Sequence, residues 1–297
     1  MDTLLLKGKP VADVLLSKLR VRIDELVSGG TVPNLAAVLI GDDPASQIYV
    51  RNKGRAFEKL DCTSQTYNLS TDIPEKEILD LIDKLNRDMD VHGILVQLPL
   101  PQLLDSQKIL HAVSPEKDVD GFHPYNLGSL LEGNPSFIPC TPNGILEILK
   151  YYNIPVEGRH AVIVGRSYIV GKPMFALLAQ KFEMGNATVT ICHTGTKDLT
   201  AHTKRAEILI AAAGYPDMIN GEMVSDGVDI VDVGINRIND DSEKGYHLVG
   251  DINTESVIGI ANSVSPVPGG VGPLTITMLM YNTVVAAEKC RQLEAAL

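Results

Sequence analysis

The chain has 297 residues, of which 44% are apolar, and a formal net charge of −11. That length suits two domains rather than one small core. The acidic balance argues against a nucleic-acid partner, and no apolar run is long enough to span a membrane.

Four cysteines, Cys62, Cys140, Cys192 and Cys290, form no C-x-x-C pair and are expected as reduced thiols in a cytoplasmic protein. The start, MDTLLLKGKP, has too short an apolar run for a secretory signal. The seven histidines lack metal-binding spacing, so no metal site is expected. In chain order, Pro10 to Val27 carries apolar residues at helical spacing, with Pro near its start and Gly29-Gly30 at its end. LAAVLI (35–40) is a continuous apolar run, as expected of a strand covered on both faces. GDDPAS turns the chain into a helix reaching about Leu60. A strand near 65–69, a helix over 74–87 and the strand HGILVQL (92–98) complete an alternation that implies a parallel sheet. SPEKDVDGFHPYN (114–126), rich in Pro, Asp and Gly, reads as loop, and a short helix is expected over 142–151. A second α/β unit follows, with strands at HAVIVG (160–165), ATVTIC (187–192), EILIAAA (207–213), VDIVDVG (228–234) and near 246–250. The chain closes with the glycine loop SPVPGGVGP and a long helix over 273–294. This second half reads as a doubly wound, dinucleotide-type domain.

VGRSYIVGKP (164–173) lies between a strand and a helix, yet matches neither the G-x-G-x-x-G fingerprint nor the P-loop. Its physics still suits a phosphate. The helix it opens presents free N–H groups and a partial positive charge. Ser167 can donate a hydrogen bond, and Arg166 supplies a planar cationic fork. A plain β–α turn with an exposed arginine has the same signature. NAD enzymes usually carry an acid at the end of the next strand. Here that strand runs into His193 and Thr194, and with Arg166 nearby the pattern favours NADP.

Tyr49 and Lys53 stand four apart, on one helix face. They could equally be a solvated lysine with an aromatic ring along its stem. Gln97 ends a strand at the carboxyl end, where ligands lie in open α/β sheets. Asp118 and Asp120 sit in a loop and could simply cap its turns. PVPGGVGP (266–273) has no charge, and its glycines allow close approach to a flat ligand or a tight interdomain turn.

Together, YVRNK, GILVQLPLP, KDVDGF, PCTPNGI, GRSYIVGKP, ATVTICHT, VDVGIN, GDIN and SPVPGGVGPLT resemble one family across almost the whole chain. It is that of the bifunctional methylenetetrahydrofolate dehydrogenase/methenyltetrahydrofolate cyclohydrolases. The resemblance implies a two-domain α/β enzyme. An N-terminal α/β folate-binding catalytic domain would comprise 1–145 and 273–297, the last helix returning to it. A Rossmann-like, doubly wound NADP-binding domain would comprise 146–272. Folate would lie in the cleft between them, and the protein would be a homodimer. By residue match Lys53 is the general base, Tyr49 lines the pterin site, Gln97 assists Lys53 and Asp120 holds the pterin edge. Val96 and Leu98 flank Gln97 in the substrate site, and Pro268, Gly269, Gly270, Val271 and Gly272 close over the folate. Gly165, Arg166, Ser167, Thr194 and Ile235 contact NADP. Two departures stand out: Tyr168 replaces the family's usual Asn, and Asp61-Cys62 replaces a common Gly-Ile.

The implied chemistry suits these residue types. Removing hydride from a carbon between two nitrogens leaves a delocalised cation and requires no base, only positioning. Hydrolysing that cation requires water to lose a proton, which a lysine kept neutral by burial and a neighbouring cation can accept. Another NADP dehydrogenase, acting on an amino or hydroxy acid, would need cations converging on a carboxylate, whereas the motifs around Gln97 and Pro268–Gly272 are uncharged. A non-catalytic dinucleotide-binding regulator would leave Lys53 idle.

Overall fold

The structure is a computed structural model that describes residues 2–241 and 245–296. The chain forms two compact units, one of Val14–Cys140 with Ile276–Leu297, the other of Met1–Asp13 with Thr141–Thr275. In chain order, β1 (Leu4–Leu5) and α1 (Gly8–Ser28) come first. Then follow β2 (Asn34–Ile40), α2 (Pro44–Glu58), β3 (Thr63–Leu69), α3 (Glu75–Arg87) and β4 (Gly93–Val96). Two short helices, α4 (Ser106–His111) and α5 (Pro124–Glu132), complete this half.

β2, β3 and β4 make a parallel sheet in the order β3-β2-β4. β2 is buried from Leu35 to Ile40, as its unbroken apolar run requires. α3 has Ile78, Ile82 and Leu85 on its buried stripe, acids in its first turn and Lys84 and Arg87 in its last, which suits the helix dipole. α2 starts at Pro44, with the Asp43 carboxylate accepting from Ser46 N at 2.8 Å. Its buried stripe is Ser46, Val50, Lys53 and Phe57, so helical periodicity itself carries a lysine inward. Asp61, where the family commonly has Gly, takes a left-handed φ of 56° and pairs with Arg20 at 2.6 Å. The adjacent Cys62 is buried, which pushes its thiol up to about 12. The stretch expected as loop to residue 126 becomes α5 at Pro124, because His123 caps it and Pro124 fits the first turn.

The second half continues with α6 (Cys140–Tyr151), β5 (His160–Val164), α7 (Gly171–Ala179), β6 (Thr188–Cys192), α8 (Leu199–Thr203), β7 (Ile208–Ala211) and β8 (Asp229–Asp232). It closes with β9 (Asn236–Asn239), β10 (Tyr246–Val249), α9 (Thr254–Val257), β11 (Ser263–Val264) and α10 (Gly272–Ala296). Its parallel sheet has the order β1-β11-β8-β7-β5-β6. β9 and β10 form a separate antiparallel hairpin, so the strand expected near 246–250 does not extend the main sheet. One boundary needs correction: residues 1–13 do not belong with the first sheet. Leu4 and Leu5 pair with Ser263 and Val264, Leu6 is fully buried and Thr3 donates to Ala261 O at 2.8 Å. A two-residue strand is too short to show a period, and the first domain that the family resemblance implied included it. Among the described residues no helix is long and apolar enough to cross a membrane.

Candidate active site

In the unit of Val14–Cys140 and Ile276–Leu297, three predicted residues come together. Lys53, 9% exposed, donates from Nζ to Gln97 Oε1 at 3.0 Å. Gln97 follows β4, its backbone N–H donating to Val38 O at 2.9 Å. Its side-chain amide donates to Leu98 O at 2.6 Å, which fixes the carbonyl oxygen toward Lys53. Val96 is buried, and the Leu98–Pro99 peptide is cis.

Asp120 arrives from a loop that runs beside β4. Ile94 N donates to Lys117 O at 2.8 Å, and Ile94 bridges Asp118 in parallel register. Asp118 is the turn-capping acid: its carboxylate accepts from Phe122 N at 3.2 Å, His123 N at 2.7 Å and Asn126 Nδ2 at 2.8 Å. Among the described residues Asp120 makes no such backbone bonds. Burial pushes its carboxyl up to about 6, while the Lys53 cation and a hydrogen bond with Cys140 pull it down. Burial, together with the Asp120 charge, drives the Cys140 thiol well above its ordinary range. Asn282 on α10 donates to Val119 O at 2.8 Å and Ile138 O at 3.0 Å, tying this loop to the segment before Cys140. Tyr49 stands one turn before Lys53 but is 43% exposed, off the buried stripe.

The other predicted residues belong to the second unit and follow the carboxyl ends of its parallel strands. Gly165 has a φ of 134°, and a side chain there would collide with the Ala212 carbonyl. A side chain on Gly171 would collide with the Gly165 carbonyl. The turn into α7 is therefore bare backbone at a helix N-terminus, a cradle that suits a phosphate. The Ser167 hydroxyl accepts from Val170 N at 3.1 Å and Gly171 N at 3.4 Å, so it shapes the turn from within. Arg166 is exposed and unpaired among the described residues. Tyr168 is half-buried, which pushes its phenol up.

Beyond β6, His193 Nδ1 accepts from Gly195 N at 3.0 Å, leaving Thr194 exposed at the tip of the turn. Ile235, between β8 and β9, is 49% exposed. After β11, the Val267–Pro268 peptide is cis and Gly269 has a φ of 106°. The Gly269 carbonyl accepts from Gly8 N at 2.8 Å, Val271 is buried, and Gly272 opens α10.

Sequence reasoning missed Cys140, Asn282 and two buried acids, Asp232 and Asp251. PCTPNGI, VDVGIN and GDIN contain three of the four, but only as unexplained letters. Asn282 lies in an apolar helix with no local motif.

A parallel, doubly wound sheet with a bare glycine turn before a helix defines the second unit as a dinucleotide-binding class of fold. The catalytic-domain model of the tetrahydrofolate dehydrogenase/cyclohydrolase family matches residues 6–120, and that family's NAD(P)-binding-domain model matches residues 139–291. The chain is 49% identical over 284 residues to the bifunctional protein FolD of Nautilia profundicola, covering 96% of this chain and 97% of that one. The solved structure of the bifunctional FolD methylenetetrahydrofolate dehydrogenase/cyclohydrolase from Campylobacter jejuni matches with a TM-score of 0.91 at 46% identity, covering 97% of this chain and 99% of that one. The Trypanosoma brucei methylenetetrahydrofolate dehydrogenase-cyclohydrolase, complexed with NADP cofactor and inhibitor, matches with a TM-score of 0.92 at 32% identity, covering 97% of this chain and 98% of that one. The chain belongs to the tetrahydrofolate dehydrogenase/cyclohydrolase family.

Proposed function

We propose that this chain oxidises 5,10-methylenetetrahydrofolate to the 5,10-methenyl cation with NADP, then hydrolyses that cation to 10-formyltetrahydrofolate. The observation that carries the reading is the buried Lys53 held by Gln97 beside Asp120, in a chain of this family. NADP, when bound, supplies the hydride acceptor. The carbon that loses hydride lies between two nitrogens, and its product cation is delocalised over both. No proton leaves, so the first step asks the chain only to orient the folate.

The second step forms a bond from water oxygen to the methenyl carbon. Lys53 takes one proton from the attacking water; the remaining hydroxyl proton passes to the departing nitrogen as its C–N bond breaks, which leaves the formyl group on the other nitrogen. A bound cation disfavours a second positive charge beside it, which suits an amine acting as base. Gln97, oriented by the Leu98 carbonyl, keeps Nζ aimed. The Asp120 carboxylate accepts from N–H groups at the pterin edge. Tyr49 and Leu98 supply flat, uncharged surface that a pterin fits, with Val96 buried at the end of β4.

Gly165 and Ser167 shape the turn that takes the cofactor's phosphates, with Thr194 and Ile235 as further contacts. Arg166 pairs with the 2′-phosphate, and the strand ending at Cys192 has no acid to repel it. The four free cysteines suit a reducing compartment, and we place the chain in the cytoplasm as a homodimer. Light scattering should then give twice the chain mass.

The test follows two absorbances. With methylenetetrahydrofolate and NADP the nicotinamide band should grow, and with the methenyl cation alone its band should decay faster than in buffer. A folded protein that changes neither would sink the reading.

A further inference from the structure

Asp232 and Asp251 lie in the second unit, 1% and 0% exposed, and neither pairs with a cation among the described residues. Their partners are mostly backbone N–H groups. Asp251 accepts from Ala213 N at 2.6 Å, Gly214 N at 2.9 Å, Tyr215 N at 2.9 Å and Asn236 Nδ2 at 3.0 Å. Asp232 accepts from Gly234 N at 2.9 Å, Asp251 N at 3.0 Å and Ile252 N at 2.9 Å. Two glycines make room for them: a side chain on Gly234 would collide with the Asp251 carboxylate, and one on Gly250 with that of Asp232.

The three loops so joined follow β7, β8 and β10, and the middle one carries Ile235 between Gly234 and Asn236. Burying a carboxylate without a cation is unfavourable, and burial pushes the Asp232 carboxyl up to about 7. What the pair achieves is geometric: acceptors at fixed points force three irregular backbones to share one arrangement.

We propose that Asp232 and Asp251 are positioning residues that hold the Ile235 segment against the loop after β7 and thereby set NADP affinity. This rests on the reading of Ile235 as a cofactor contact. It predicts separable activities, because hydrolysis of the methenyl cation uses Lys53 and consumes no cofactor. Asp251→Asn keeps the size but turns an NH2 group toward N–H donors. The dissociation constant for NADP, by calorimetry, should rise about 10- to 100-fold, with hydrolysis retained within about twofold. The KM for NADP should rise in step, with kcat at saturating NADP largely kept. Asn236→Ala leaves both carboxylates in place, removing only the amide's bonds to Asp251 Oδ1 at 3.0 Å and Gly250 O at 3.2 Å; it should give a smaller rise, which keeps the test open if Asp251→Asn does not fold.

Ile235→Asp tests the underlying reading. If it leaves NADP affinity unchanged, the assignment of Ile235 is wrong and the inference falls with it. If Ile235→Asp weakens NADP while Asn236→Ala and Asp251→Asn do not, the positioning role alone is overturned. Equal loss of NADP affinity and hydrolysis in both Asn236→Ala and Asp251→Asn makes the pair a general scaffold and also overturns it.

Discussion

The two groups of functional residues are built in opposite ways. Around Lys53, side chains from α2, the end of β4 and the 117–123 loop converge, and their effect depends on charge and reach. Around Gly165 the backbone forms the receiving surface, Arg166 offers an exposed charge, and the acids stand behind the loops that they shape. A site made of side chains should be sensitive to chemical identity at constant size. A site made of backbone should be sensitive to added atoms, even chemically inert ones.

Lys53→Met offers the sharpest break in that comparison. It keeps the length of the stem and removes the amine, so hydrolysis of the methenyl cation should fall about 100- to 10,000-fold. Hydride transfer needs no base and should persist, with near-normal folate affinity on the folded variant. Wild-type hydrolysis would return Tyr49 and Lys53 to an ordinary helix-face pair, and a large loss of folate affinity would make Lys53 a positioning group instead. Gly165→Ala is the counterpart on the backbone side. One methyl at a φ of 134°, against the Ala212 carbonyl, should weaken NADP and NAD alike by about 10- to 100-fold, from about 1–3 kcal/mol of strain. Calorimetry on both cofactors checks it, with hydrolysis as the internal control.

The same contrast explains what the sequence disclosed. Continuous apolar runs at 35–40 and 161–164 announced buried parallel strands, and the helices around them followed from period and punctuation. Lys53 was legible as a candidate because it shares a helix with Tyr49, but not its burial, which comes from the Val50–Lys53–Phe57 stripe. Asp118 and Asp120 looked alike in sequence. They part only when Asp118 turns to cap Phe122 and His123 and leaves Asp120 facing Lys53. β1 was invisible because two residues carry no period, and Asp232 and Asp251 because their partners are backbone groups 2 to 38 residues away. Local chemistry can be read from a sequence; the convergence of distant backbone cannot.

Arg166→Ala sharpens the backbone side by testing an exposed charge within it. Losing a charge-assisted contact to the 2′-phosphate should cost about 1.5–3 kcal/mol with NADP and little with NAD. Initial rates with each cofactor give the ratio directly. Equal losses would remove Arg166 from the 2′-phosphate.

Asp120→Asn asks the smallest change of the side-chain site and tests it by pH. Burial lifts the Asp120 carboxyl from 3.8 to about 6, so the group gains a proton as pH falls through that value. If the carboxylate accepts from the pterin edge, folate affinity should drop about tenfold between pH 7 and pH 5 in the wild type, following the ionised fraction. Asp120→Asn keeps one carbonyl oxygen and should bind folate more weakly at pH 7, with a flat profile across that window. Stability should move the other way. A carboxyl whose folded-state pKa is raised contributes stability that is fully present below its ordinary range and is lost as pH rises through about 6. Wild type should therefore lose melting temperature relative to Asp120→Asn between pH 4 and 7, while gaining folate affinity over the same range. Calorimetric titrations and melting curves at four or five pH values measure both slopes. Parallel slopes, or a wild-type affinity indifferent to pH, would take Asp120 out of the pterin contact and leave Lys53 and Gln97 to hold the substrate without it.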